Sequence, residues 1–206
     1  MKNLLPYVDN PISSDANGYN SIHYAAAHGH IEALKIQMEY TDDPNAEDSN
    51  GLTPLHEAAK NGHLEVAKLL VENSVDPISE NAMGQTPIHF AATNGKNDII
   101  KVLVEATDHP NSGDLFGRTP AHLAAFNGHL EVLKTLNNVT DNLNEPTRDG
   151  QTPLQLATER EHTEVENFLK NLMESNNSRT RKRRSTTLAT LTTDDSETRT
   201  SKRKRR

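Results

Sequence analysis

The sequence of 206 residues contains no cysteine and no long apolar segment. Without cysteine the chain forms no disulfide, no thiolate nucleophile and no cysteine-ligated zinc site. No stretch approaches the 18 consecutive apolar residues typical of a membrane-spanning helix. The opening MKNLLPYVDNPIS also lacks the apolar run of a secretory signal. We therefore expect an intracellular protein of a reducing compartment that does not enter a membrane.

Sequence motifs of catalysis are missing as well. Neither G-x-S-x-G nor G-x-x-x-x-G-K-[ST] occurs in the chain. Paired acids such as Asp42-Asp43 and Asp194-Asp195 lie in turn-like and tail segments, where solvated charge is the ordinary interpretation. The sequence therefore predicts a protein that is not an enzyme and that needs no cofactor.

Charge is divided unevenly along the chain, which has a formal net charge of −7. Residues 175–206 hold 11 Lys and Arg against 3 Asp and Glu, a net of +8, so residues 1–174 carry −15. The basic segment is rich in Ser, Thr and Arg and contains no aromatic residue. Such a composition cannot bury enough apolar surface to fold. We predict an acidic folded body and a disordered basic tail.

An internal repeat runs through the acidic body. Gly18, Gly51, Gly84, Gly117 and Gly150 are each 33 residues apart. Three strong copies read GLTPLHEAAKNGHLEVAKLL, GQTPIHFAATNGKNDIIKVL and GRTPAHLAAFNGHLEVLKTL, and divergent copies begin at the first and last glycines. The period and the T-P-L-H-x-A-A text closely resemble the ankyrin repeat over roughly residues 1–173. This resemblance implies an all-α solenoid in which each repeat is a helix-turn-helix followed by a turn.

The residues of one repeat account for its two helices. Thr53-Pro54 places a capping hydroxyl before a proline at the first helical position. Ala58-Ala59 keeps that helix thin, and Gly62 stops it in the left-handed conformation. A second helix is predicted from apolar residues at helical spacing, namely Leu64, Val66, Leu69 and Leu70.

The repeat spacing also predicts the division of the chain. Five repeats are expected over residues 16–174, at 16–48, 49–81, 82–114, 115–147 and 148–174. Residues 1–15 are predicted to be an N-terminal half-repeat, since Pro11 continues a proline series with the same period. Residues 175–206 form the predicted disordered tail. The end repeats depart from the strong copies, as expected of polar solenoid caps, at Asn20-Ser21, Gln155, Thr158 and Glu161.

Histidines recur at the repeat period in two series: His23, His56, His89 and His122, and His30, His63 and His129. Stacked helices lie about 8–10 Å apart. Equivalent histidines are therefore too widely spaced to share one metal ion, whose bonds are about 2 Å long. We predict no metal site. We interpret the first series as structural side chains that hydrogen-bond the adjoining turn backbone, as the family resemblance also implies.

The resemblance further implies a concave partner-binding surface, made of the turn tips around each repeat glycine and the solvent side of the first helices. Because aromatic residues, Met and Arg are typical interface anchors, the predicted partner-binding residues are Tyr19, Leu52, Met83, Leu115, Phe116, Arg118 and Phe126. The last five form the hypothesised main patch. The alternative is that Leu115 and Phe126 fold inward and that scattered exposed apolar residues carry no meaning. Another shared position has persistent bulk that predicts packing between repeats, at Tyr24, Phe90, Leu123 and Leu156.

Two basic clusters in the tail resemble nuclear-import signals, namely Arg181-Lys182-Arg183-Arg184 and Lys202-Arg203-Lys204-Arg205-Arg206. The second matches K-[KR]-x-[KR], a pattern that import receptors bind in acidic grooves. Nucleic-acid contact ranks lower, because no aromatic residue interleaves the charges for base stacking and the acidic body repels phosphate. Solubility is a third interpretation. We predict an import receptor as the tail's partner and a location in the nucleus, or in cytoplasm and nucleus.

These observations predict a monomeric, non-catalytic scaffold or adaptor that binds a protein partner through the concave surface. The acidity of the body favours a partner with a basic surface, since complementary potentials steer association. One alternative is an inhibitor of a transcription factor similar to the IκB proteins, to which the acidic repeats bear a weaker resemblance. Another is a nucleic-acid-associated regulator that acts through the basic tail.

Overall fold

The structure, a computed structural model, describes residues 13–41, 43–74, 76–140 and 142–175. Within these ranges the chain is all-α, with ten helices and no strand, as the sequence predicts. The helices are α1 Ser21–Ala27, α2 Ile31–Met38, α3 Pro54–Asn61, α4 Leu64–Asn73, α5 Pro87–Thr93, α6 Asn97–Val104, α7 Pro120–Phe126, α8 Leu130–Asn137, α9 Pro153–Glu159 and α10 over residues 163–175.

The chain divides into two compact units, residues 1–166 and residues 167–206. In the first unit the short first helices α1, α3, α5, α7 and α9 pack one on the next in chain order. The second helices α2, α4, α6 and α8 pack in the same order, and each contacts the first helix of its own repeat. The described residues of the second unit, 167–175, are helical. Each repeat is named below by its first helix.

Every first helix begins at a capping box. In the α3 repeat the Thr53 hydroxyl caps the backbone N–H of His56, and the His56 Nδ1 accepts from the Thr53 N–H at 3.1 Å. In α1 the cap is Asn20, whose side chain accepts from two backbone N–H groups. The departure at the first repeat therefore keeps the cap. The Thr-Pro caps predicted from the sequence are confirmed, the others being Thr86, Thr119 and Thr152.

Residues in the left-handed conformation follow the first helices. Gly62, Gly95 and Gly128 have φ values of +89°, +66° and +76°, which confirms their predicted role. In the α9 repeat Glu161 adopts a φ of 59° at the corresponding place. A side chain makes this conformation cost roughly 1–2 kcal/mol. The last repeat thus keeps the turn of the other repeats but adds backbone strain.

The core of the first unit lies between the helices of successive repeats. Ala58 and Ala59 are fully buried in α3, so their small side chains allow neighbouring first helices to approach closely. On α4 the predicted apolar face points inward, with Val66 and Leu70 buried. Burial of each such aliphatic side chain contributes about 1.5–3 kcal/mol. This packing holds the turn tips and the first helices in a regular row.

Several predictions concern residues outside the described ranges. The first 12 residues of the half-repeat lie there, as do residues 176–206 of the tail and both basic clusters. The predicted repeat boundaries stay predictions. Among the described helices, none has the length and apolar character needed to cross a membrane.

Candidate functional site

The turn tips are organised by one side chain each. In the α7 repeat Asp114 Oδ1 accepts from the backbone N–H groups of Phe116 and Arg118, both at 2.9 Å. Carboxylate or amide oxygens accept in the same way in three other repeats, at Asp15, Asp48 and Asn81. In each of these tips one side-chain oxygen holds two backbone N–H groups. The tip backbone is therefore held in one conformation, and this conformation sets the direction of the tip side chains.

Successive tips are also joined to each other by backbone hydrogen bonds. The N–H of Leu115 donates to the carbonyl of Met83 at 3.0 Å, and the N–H of Arg148 donates to the carbonyl of Phe116 at 3.2 Å. Ser49 and Ala82 make the equivalent bonds to Asn17 and Asn50. This ladder brings Met83 beside Leu115 although the two residues belong to different repeats.

Three predicted partner-binding residues are strongly exposed on these tips. The exposed fractions are 55% for Met83, 52% for Leu115 and 54% for Phe116. We call these three residues the tip patch. Phe126 is half-buried at the end of α7, and Leu52 is half-buried at its own tip. The alternative in which Leu115 folds inward is therefore wrong.

Arg118 is engaged within its own tip. Its guanidinium pairs with Asp114 Oδ2, at 2.7 Å from NH2 and 2.8 Å from Nε, and its Cζ lies 5.0 Å from the centroid of the Phe116 ring. Burial acts to raise the pKa of Asp114, but the hydrogen bonds from Arg118 and from two backbone N–H groups hold that pKa below its ordinary value. Arg118 therefore supports Phe116 while its charge is balanced by Asp114.

Phe126 has a cationic neighbour that sequence reasoning did not assign to it. The Cζ of Arg160, at the end of α9, lies 3.9 Å from the centroid of the Phe126 ring. A cation over an aromatic ring contributes about 0.5–1 kcal/mol at exposed sites. Arg160 follows Phe126 by 34 residues, one repeat period plus one, and this spacing is the sequence signal that could have predicted the contact. This contact limits how far Phe126 is free to meet a partner.

Tyr19 lies in an aromatic cluster at the first repeat. Its ring centroid is 4.7 Å from those of His23 and Tyr24, and the two tyrosine rings meet edge to face. Burial, together with the negative charges of Glu57 and other acids, raises the pKa of Tyr19 to about 12. Tyr24 is 51% exposed. Tyr24 was predicted to pack between repeats, and this exposure shows that about half of its surface does not. Phe90, at the equivalent position, does pack on His56 of the preceding repeat.

The first histidine series joins each repeat to the next one. His56 accepts from Thr53 at Nδ1, and its Nε2 donates to the carbonyl of Gln85 at 3.0 Å. The same forward bond is made to residue i+29 by His23, His89 and His122. Burial is the main cause that lowers the pKa of His56 and His89 to about 4. The structural interpretation of this series is confirmed.

The second series joins repeats in the opposite direction. The Nε2 of His63 donates to the Ala27 carbonyl at 3.0 Å, and His129 and His162 make the equivalent bonds to Thr93 and Phe126. Sequence reasoning missed His162 as a member of this series. Within the described ranges no group of three or more His, Cys, Asp or Glu residues is arranged to hold a metal ion.

The comparison with protein-family models agrees with this geometry. The family model described as ankyrin repeats (3 copies) matches residues 1–81, 22–114, 74–144 and 106–182. The comparison with curated proteins gave no match. The overlapping family matches cover most of the sequence, and they coincide with the capped helix pairs and laddered tips described above. The chain therefore belongs to the ankyrin-repeat family, whose repeats are generally protein–protein interaction modules.

Proposed function

We propose that this protein is a non-catalytic adaptor that binds a protein partner through the tip patch and the adjoining first helices. The observation that carries the proposal is the exposure of Met83, Leu115 and Phe116 on neighbouring tips. Folding alone provides no reason to present three large apolar side chains together, and contiguous exposed apolar surface is typical of interaction sites.

The rigidity of the tips supports the same conclusion. Asp114 fixes the backbone on both sides of Phe116, and the ladder bond between Leu115 and Met83 fixes the neighbouring tip. A partner that binds a preorganised surface loses less conformational freedom, so more of the contact energy appears as affinity. Phe116 is the central anchor of this surface, held by the Arg118 guanidinium on its ring.

The proposal is tested by quantitative affinity capture from cell extract with the full-length chain as bait. Substitution of both anchors, M83S and F116S, should reduce the captured partner at least tenfold, because hot-spot residues each contribute about 2 kcal/mol or more. The matched control is V139S, which changes another exposed apolar residue away from the tips. Both variants should keep the wild-type melting temperature. Undiminished capture by the double variant would sink the proposal.

We further propose that the adaptor works in the nucleus or shuttles between nucleus and cytoplasm. The support is the basic sequence at Lys202–Arg206, which matches an import pattern. Replacement of these five residues by alanine in a fluorescent full-length fusion should shift the protein towards the cytoplasm. An unchanged distribution, with the Arg181–Arg184 cluster also replaced, would reject nuclear import through the tail. The IκB-like and nucleic-acid-associated alternatives stay predictions of the sequence.

A further inference from the structure

One helix position recurs in every first helix, with one residue from each repeat, and the stacking of these helices places the five residues in a row. It is the fourth residue of each first helix. We call it the first-helix row, and its members are Tyr24, Glu57, Phe90, Leu123 and Leu156. Four members are aromatic or aliphatic, and only Glu57 carries a charge. The sequence pattern predicts packing between repeats for the four bulky members and assigns no role to the acid.

The carboxylate of Glu57 is enclosed but only weakly paired. The residue is 8% exposed. Lys60 Nζ lies 3.8 Å from Glu57 Oε2, and Asn61 Nδ2 lies 3.4 Å from the same oxygen. Charge-assisted hydrogen bonds are ordinarily about 2.7–2.9 Å long. The Lys60 side chain is itself 51% exposed, so an incoming cation displaces it at little cost.

Aromatic residues stand beside this carboxylate in the row. Tyr24 occupies the equivalent position on α1, and Phe90 occupies it on α5. Tyr19 packs edge to face on Tyr24, and the pKa of the Tyr19 phenol is raised first by burial and then by the negative charge of Glu57. Asp48 and Asp15 contribute in the same direction. The surface around the two tyrosines is therefore both aromatic and negative.

We propose that Glu57, with Tyr19 and Tyr24, receives a lysine or arginine side chain from an extended segment of the partner protein. Here the partner's cation forms the short hydrogen bond that Lys60 does not make, and the exposed Tyr24 ring provides a face for a cation–π contact. The net charge of −15 over residues 1–174 favours a cationic group at this site over a neutral donor. This inference rests on the proposed function, since it identifies the chemistry of the same partner.

The stacking of the repeats also predicts the spacing within the partner segment. Neighbouring first helices are about 8–10 Å apart, and an extended chain advances about 3.3–3.6 Å per residue. One repeat therefore corresponds to about three partner residues. Glu57 lies on α3, whereas Met83 and Leu115 lie at the tips before α5 and α7. The cation should thus stand about three to six residues from a large apolar side chain.

The test is selection of random 12-residue peptides displayed on phage against the full-length chain. Wild type should enrich peptides in which Lys or Arg stands three to six residues from a large apolar residue. Changing that basic residue to Gln should weaken binding of a selected synthetic peptide about tenfold. In E57Q the two peptides should bind equally. The control E65Q changes an exposed acid on α4 that pairs with Lys68, and it should keep the tenfold difference.

The possible outcomes separate the inference from the proposed function. Apolar peptides without a preferred basic residue would overturn the inference alone, provided that M83S/F116S still abolishes their binding. A basic preference that E57Q leaves intact would also overturn it. Enrichment of nothing, or binding that the double variant leaves unchanged, counts against both proposals. If E57Q does not fold, the Lys-to-Gln peptide comparison on wild type and Y24A still decides, because Y24A should reduce the difference.

Discussion

Two neighbouring junctions of the repeat array differ in how firmly they are tied. Between the α5 and α7 repeats His89 bonds forward to the Arg118 carbonyl, and His129 bonds backward to the Thr93 carbonyl. Between the α3 and α5 repeats His56 makes the forward bond to Gln85, but Lys96 stands at the position of the histidine that would bond backward. One junction therefore has two histidine bridges to the backbone, and the other has one.

The cause of the difference is a single position. Lys96 occupies the place where the other strong repeats have histidine, and its aliphatic chain lies against Gly62. A lysine offers no rigid ring to bridge to the preceding helix. The comparison shows that forward bonds are common to all junctions between described first helices, whereas backward bonds vary with one residue. The tip residues Met83 and Leu115 lie on either side of the junction that has both bridges.

Acid should have the largest effect, because protonation at Nδ1 of His56 and His89 removes the acceptor of the Thr53 and Thr86 N–H groups and buries a positive charge. In the unfolded chain histidine is protonated near pH 6.5. In the folded chain burial lowers the pKa of His56 and His89 to about 4, so both side chains stay neutral down to that pH. The contribution of these two histidines to the free energy of unfolding is therefore fully present above pH 6.5 and is lost as the pH falls towards 4. The loss is on the order of 3 kcal/mol for each histidine. Urea denaturation at pH 7.5, 5.5 and 4.5 measures it.

The control for the acid experiment is H89Q. Gln155 shows that glutamine keeps the local cap, since its Oε1 accepts from the Thr152 N–H at 2.8 Å. Glutamine does not titrate, so H89Q should be less stable than wild type at pH 7.5 but should lose less stability on acidification. The same acid dependence in H89Q and wild type would show that His89 is not one of the groups responsible.

Alanine substitution of the left-handed glycines Gly62 and Gly95 should destabilise the protein by different amounts at the two junctions. A Cβ on Gly95 would lie 2.7 Å from Nδ1 of the His129 ring, whereas a Cβ on Gly62 would lie 3.0 Å from Cδ of the flexible Lys96. Both changes cost roughly 1–2 kcal/mol for the left-handed backbone. G95A should cost about 1 kcal/mol more, because the clash also breaks the His129 bond. Equal losses in urea denaturation of G62A and G95A would contradict this view, and H129A should remove the extra cost.

The smallest effect should come from converting one junction into the other. K96H places a ring where His129 and His63 make backward bonds, with the Lys60 carbonyl as the equivalent acceptor. One added hydrogen bond should stabilise the folded state by about 1 kcal/mol, which corresponds to about 2–4 °C in melting temperature for a chain of this size. The reverse change, H129K, should lower it by a similar amount. A melting temperature that K96H leaves unchanged would show that the missing ring is not the difference.

Much of the fold was predictable because each repeat carries its own local signals. Thr53-Pro54 starts α3 and Gly62 follows its end, and both act within one turn of helix. The structural role of His56 was also predictable, since its period excludes a shared metal ion. The residues of the candidate site were harder to predict from the sequence. Exposure at Met83 followed from the repeat pattern, but the enclosed carboxylate of Glu57 did not.

The sequence by itself determined the period, the starts and ends of the first helices in the strong repeats and the positions of the tips, because caps, prolines and left-handed glycines act on backbone close to them in the chain. Only the tertiary structure decided which side chains meet across repeats. Arg160 reaches Phe126, His129 reaches Thr93, and Glu57 lies between aromatic positions on two other helices. These partners are about 30 or more residues apart, and stacking brings them together. The chemistry of the proposed binding surface therefore depends on the packing of repeats and not on the sequence of any one repeat.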